Sequence, residues 1–116
     1  MLPIRLGKRA SELCVAVKRQ TGLRLMNEVC RLAFFQSLVR QQSEITEHHD
    51  GNGSIDIEWG IFAGPYAPII RACAIADLGL GEINDTSIRN RIVNRISNGL
   101  MTLDQTGNVL SVASKL

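Results

Sequence analysis

The sequence predicts a mainly α-helical domain of about four helices with one or two short extended segments, packed as a compact helical oligomer. Two observations carry this expectation. Apolar residues recur at three- and four-residue intervals over most of residues 8–100. One stretch, Thr21 to Leu38, is apolar on nearly every side of the helix it would form.

Taken in order, Leu2 to Leu6 alternates around Ile4 and Leu6 and reads as an extended arm or short strand. A helix follows from about Lys8 to Gln20. Ala10, Leu13, Cys14 and Val17 form its buried stripe, and Lys18 and Arg19 occupy the last turn, where the helix dipole favours cations. Gly22 falls where a left-handed residue ends a helix, and Thr21-Gly22 connects to the next one. In that second helix, Val29, Leu32, Ala33 and Gln36 make one stripe and Cys30, Phe34 and Leu38 another. A helix apolar all round must be covered all round, and a chain of 116 residues has little cover to give. The helix is therefore expected at the centre of the fold and at a subunit contact. Phe34 and Phe35 are adjacent and cannot share a face; with Leu38 they form the expected oligomer interface. The alternative is a central core helix of a monomer.

From Gln41 to Gly53 the pattern gives way to turn formers and reads as an exposed loop. His48 and His49 lie in it, but adjacent histidines do not converge on one ion, so no metal site is expected. Ser54 to Trp59 alternates Ile55, Ile57 and Trp59 against Asp56 and Glu58, as a short strand with one buried face does. Gly60 to Tyr66 surrounds two aromatics with glycines and Pro65, without the spacing of a phosphate-cradling loop. Pro65 suits a first helical turn, and Tyr66, Ile69, Ile70 and Cys73 continue at helical spacing to about Asp77, before Gly79 and Gly81. Tyr66 reads as a core aromatic before it reads as a functional hydroxyl. The last helix begins at Asn84 or Asp85, buries Ile88, Ile92, Ile96 and Leu100, and is expected to end near Gly99. Residues 104–116 are expected to form a loosely ordered tail of the single domain, 1–116.

Charge is strongly segregated. Residues 1–40 carry eight basic and two acidic side chains, residues 41–85 one basic and eight acidic, and residues 86–116 four basic and one acidic. Such a basic segment suits an anionic partner, and nucleic acid phosphate is the commonest. Lys8, Arg9, Lys18, Arg19 and Arg24 all avoid the buried stripe of the first helix and are the expected DNA contacts; Arg89, Arg91 and Arg95 on the last helix come next. Three widely spaced cysteines, Cys14, Cys30 and Cys73, with no CxxC, suggest buried reduced thiols and a cytoplasmic setting. No nucleophile–base, metal-protease or paired-carboxylate pattern appears, so neither an enzyme nor a cofactor is expected. Neither a secretory signal nor a segment able to span a bilayer is expected.

Several motifs converge on one family. Thr21-Gly22-Leu23, Asn27, Cys30-Arg31, Ala33 and Ser37-Leu38 are followed by Gly53, by Phe62-x-Gly64-x-Tyr66, and by Gly99 ahead of Leu103. Over roughly residues 4–103 this pattern resembles the DndE family of the bacterial systems that replace a non-bridging oxygen of the DNA backbone with sulfur (phosphorothioation). In one place it departs: Arg24-Leu25-Met26 stands where a Ser/Thr-Pro helix start would be expected. The resemblance implies a small helical tetramer that binds duplex DNA, nicked duplex preferentially. It also implies action beside other phosphorothioation proteins, among them an iron–sulfur protein and an ATPase-like protein.

Two other readings fit the residues. A short strand, a helix, a glycine turn and a second helix is the order of a ribbon–helix–helix repressor, although Arg5 is the one side chain of the arm suited to a base edge. An assembly adaptor whose basic residues meet acidic proteins is the third.

Overall fold

The computed structural model describes residues 1–40 and 53–114, with side chains through residue 105. Four main helices, one short helix and a two-stranded antiparallel sheet make up the fold. Strand β1 (Ile4–Arg5) leads into α1 (Lys8–Thr21) and α2 (Met26–Arg40). Strand β2 (Asp56–Ile57) precedes the short α3 (Trp59–Ala63), a 3₁₀ turn over Gly64–Tyr66, and α4 (Ala67–Leu78). Helix α5 (Asp85–Ser114) closes the chain.

The sheet pairs Ile4 with Ile57 and Arg5 with Asp56. It is extended by one bond from the Leu6 amide to the Ile55 carbonyl, 3.1 Å. Ile4, Leu6 and Ile55 face the core, as the alternation predicts. The Arg5–Asp56 ion pair on the outer face, 3.0 Å, is over half exposed on both sides and adds little stability.

Helix α1 buries Ala10, Leu13, Cys14 and Val17, the predicted stripe. It ends at Gly22, whose φ of 75° is the left-handed conformation and whose amide donates to the Lys18 carbonyl, 3.1 Å. The chain then needs Gly22–Leu25 to turn, and α2 starts at Met26. Its first turn is closed from inside: Glu28 Oε1 accepts the Leu25 amide, 3.2 Å. That is the carboxylate half of a capping box, formed without the Ser or Thr that usually supplies the other half.

Helix α2 packs chiefly on α5, with α1 beside both; α5, which also meets α4 and β1, is the more central of the two. Val29, Cys30, Ala33, Phe34 and Ser37 are buried; Phe35 and Leu38 are half-buried, and Leu32 and Val39 are exposed. The crossing with α5 is close enough that a Cβ on Gly99 would run into the Ala33 backbone. This explains why the expected helix end at Gly99 is wrong. The glycine is a contact point inside α5, which runs on to Ser114, so the backbone of 104–114 is helical. The buried stripe Ile88, Ile92, Ile96 and Leu100 is as predicted. Asn84 caps α5 reciprocally: its Oδ1 accepts the Ser87 amide, 2.8 Å, and Ser87 Oγ accepts the Asn84 amide, 2.9 Å.

The expectation that no segment could span a bilayer also changes. The strand predicted through Trp59 gives way there to helix, and α3, the 3₁₀ turn and α4 join into 20 helical residues, Trp59–Leu78, long and apolar enough to cross a membrane by length and composition. In the fold this run packs on α2 and α5 through Phe62, Ala63, Ile70 and Ala74. Ile61 and Ile69 are left over half exposed. The predicted loop over 41–52, with His48 and His49, lies outside the described residues.

Candidate nucleic-acid interface

The five cations expected to meet DNA all reach the surface. Lys8, Arg9, Arg19 and Arg24 are exposed and Lys18 is half-buried. None of them takes part in an ion pair among the described residues. They form two groups rather than one. Lys8 and Arg9 occupy the first turn of α1; Lys18 and Arg19 occupy its last turn, with Arg24 in the following turn. At about 1.5 Å per residue the two ends of the helix stand some 15–20 Å apart.

The ends differ in what explains them. Lys18 and Arg19 are where the dipole favours cations, so helix stability alone accounts for them. Lys8 and Arg9 are at the positive end, where a cation costs a few tenths of a kcal/mol or more, and α1 has no acidic residue in that turn to compensate. The helix dipole gives no reason for their presence.

The reserve candidates on α5 fare differently. Arg95 is 8% exposed and grips Asp77 with two bonds, Nε to Oδ2 at 2.8 Å and Nη2 to Oδ1 at 2.7 Å. The bond to Asp77 raises its pKa above the ordinary arginine range, against the opposing effect of burial. Arg91 Nη1 lies 3.5 Å from the same carboxylate; burial, then the charge of Arg95, lowers its pKa. Arg95 is therefore a structural cation and not a DNA contact. Helical spacing placed it off the Ile88–Leu100 stripe but could not show that Asp77, 18 residues earlier, is waiting for it.

At the expected oligomer interface, Phe34 is fully buried within its own chain and packs edge-on against Phe35, ring centres 5.4 Å apart. It has no surface to offer a second subunit. Phe35 and Leu38 are half-buried and do. Phe35 also lines a surface groove of about 440 Å³ with Leu23, Glu28, Arg31, Leu32 and Tyr66.

That groove joins two motifs far apart in sequence. Arg31 Nε donates to the Phe62 carbonyl, 3.0 Å, and its guanidinium lies 5.3 Å from the centre of the Tyr66 ring and against Gly64. Gly64 has φ 52°, a backbone that disfavours a side chain, although a Cβ there would make only ordinary contact with the Arg31 guanidinium, 3.7 Å at the nearest. Tyr66 is thus the platform for an arginine rather than a core aromatic, and it is 45% exposed.

The comparisons with known proteins decide the family. A family model described as DNA sulphur modification protein DndE matches residues 3–111. The chain belongs to the DndE family. The fold agrees: the crystal structure of DndE from Escherichia coli B7A, described as involved in DNA phosphorothioation modification, superposes with a TM-score of 0.71. That match covers 89% of this chain and 99% of that one at 16% identity. The crystal structure of a double glycine-to-lysine DndE mutant gives a TM-score of 0.70, with the same coverage at 15% identity. No curated protein sequence matches the chain significantly. Membership places this DndE-family chain in the DNA phosphorothioation system. Among its described residues no group of three His, Cys, Asp or Glu comes together as a metal site. Cys14 and Cys30 are buried free thiols as expected, whereas Cys73 is half-exposed to the surface of α4.

Proposed function

We propose that the chain is a non-catalytic, cytoplasmic DNA-binding subunit of a phosphorothioation system, which holds duplex DNA through phosphate contacts and prefers nicked duplex. The observation that carries this reading is the set of five accessible cations outside any ion pair among the described residues, two of them on a helix end that disfavours them. Phosphate contacts of this kind position a protein on DNA without reading its sequence. The ribbon–helix–helix reading has less support, because Ile4–Arg5 pairs with Asp56–Ile57 of its own chain.

Homotetramer formation belongs to the same proposal. It is supported by apolar surface left over on α2 and on the Trp59–Leu78 run: Leu32, Val39, Ile61 and Ile69 are each 39–79% exposed. A tetramer multiplies the basic ends of α1 into a broad positive surface, to which the other phosphorothioation proteins can bring the reacting strand. A nick makes the backbone easier to bend onto that surface, and deformation energy is read as affinity. The test is competition between otherwise identical nicked and intact duplexes for the wild-type protein. The nicked form is expected to bind more tightly; equal affinities would remove nick preference from the function.

A further inference from the structure

Where α1 crosses the start of α2, the Cys14 sulfur lies beside two sulfurs of α2. Cys14 Sγ lies 3.7 Å from Cys30 Sγ and 3.6 Å from Met26 Sδ. Met26 and Cys30 are four residues apart on α2 and so share one face, while Cys14 comes from the neighbouring helix. Both cysteines are fully buried free thiols. Met26, the first residue of α2, is half-buried and forms the outer edge of the trio. Neither DNA contact nor assembly uses any of these three side chains.

We propose that Cys14, Cys30 and Met26 form a three-coordinate site for a soft monovalent ion, Cu(I). Thiolate and thioether donors together select Cu(I) over harder ions. Zinc takes four ligands from cysteine, histidine and carboxylates, and a methionine does not serve it. Both sulfur partners of Cys14 already stand near ligand spacing from it. Sulfurs about 2.3 Å from a shared ion stand about 3.8–4.0 Å apart in tetrahedral or trigonal geometry. The observed separations of 3.7 and 3.6 Å are close to this, so the two helices need hardly move.

Binding exchanges two S–H bonds for two Cu–S bonds and releases two protons to solvent; the methionine thioether donates a lone pair, and no electron is transferred. The hydrogen bond to Cys30, with the charge of Lys18 one turn along α1, lowers the pKa of Cys14 despite burial. The same bond and burial raise that of Cys30, which the ion must therefore deprotonate. A bound ion ties α1 to α2 just across the turn that carries Arg24.

The test is an anaerobic titration of the full, reduced chain with Cu(I) in competition with bathocuproine disulfonate. One ion per chain is expected to be retained, with thiolate-to-copper absorption in the near ultraviolet and a rise in Tm. Cys14→Ser and Cys30→Ser should each abolish retention, Met26→Leu should weaken it, and Cys73→Ser should leave it unchanged. Melting of each copper-free variant establishes that it is folded, with Cys→Ala replacing Cys→Ser where it is not. No copper retained by folded wild type, or equal retention by the Cys14→Ser/Cys30→Ser double variant, overturns the proposal. So does formation of a Cys14–Cys30 disulfide with no metal held.

Discussion

Asp77 meets two arginines at once, and one of them is nearly out of water. Arg95 gives it both ends of its guanidinium, and a third bond runs from Arg95 Nη1 to Ser37 Oγ, 3.4 Å, tying α4 and α5 to α2. Breaking a buried pair from one side leaves the other charge stranded, which costs about 3–5 kcal/mol. Asp77→Asn is therefore predicted to lower the urea unfolding free energy by that order. Asp77→Leu combined with Arg95→Met should recover most of the loss, since burial of a charge pair is itself expensive. Denaturation curves for wild type and the two variants check this; a loss within about 0.5 kcal/mol for Asp77→Asn, the ordinary range for a surface change, would mean that the pair is merely superficial.

At the scale of elements, the turn between α1 and α2 rests on Gly22. A Cβ there would meet no atom within 4 Å, so the whole cost of a side chain is conformational. Gly22→Val is predicted to lose about 1–2 kcal/mol through its left-handed backbone alone. Thermal melting reads this directly, and an unchanged Tm would show that the turn tolerates another conformation. This turn was legible in the sequence because a glycine after a basic last turn is a local signal. So were the buried stripes of α1 and α5, where one apolar face repeats without competition. What escaped reading depends on partners distant in sequence. Gly99 looks like a helix end, and only the approach of Ala33 makes it an interior contact. Phe34 and Phe35 are equivalent by spacing, yet packing buries one completely and leaves the other partly open. Arg31 and Tyr66 stood in the family pattern without a role until α3 brought them together. The proposed DNA-contacting set is legible as charge off the buried stripe of α1, and the structure shows its side chains at the surface.

For the whole molecule, α5 sets the length: 30 residues of helix span about 45 Å, and the longest dimension is 49 Å. The remaining elements enclose its middle, where Arg95 to Leu100 are all buried, and leave apolar residues of α2, α3 and α4 at the surface. Phe35→Glu is predicted to release monomers or dimers at micromolar concentration, because a charge cannot be buried unpaired in a subunit contact. Its side chain is half open, so the folded chain can turn the carboxylate to solvent. Sedimentation of wild type and variant decides this; a monomeric wild type would remove the assembly.

The central claim is that the basic ends of α1 hold DNA by its phosphates. The most direct test is the salt dependence of duplex binding for Lys18→Glu with Arg19→Glu, measured against the wild-type oligomer. The double variant is predicted to bind every duplex more weakly, irrespective of sequence, with its oligomeric state unchanged and its Tm lowered only modestly by the lost dipole interactions at the end of α1. The slope of log K against log salt should shrink by about one unit for each phosphate that the variant no longer neutralises. Unchanged affinity and unchanged slope would contradict the account and place the DNA elsewhere on the molecule.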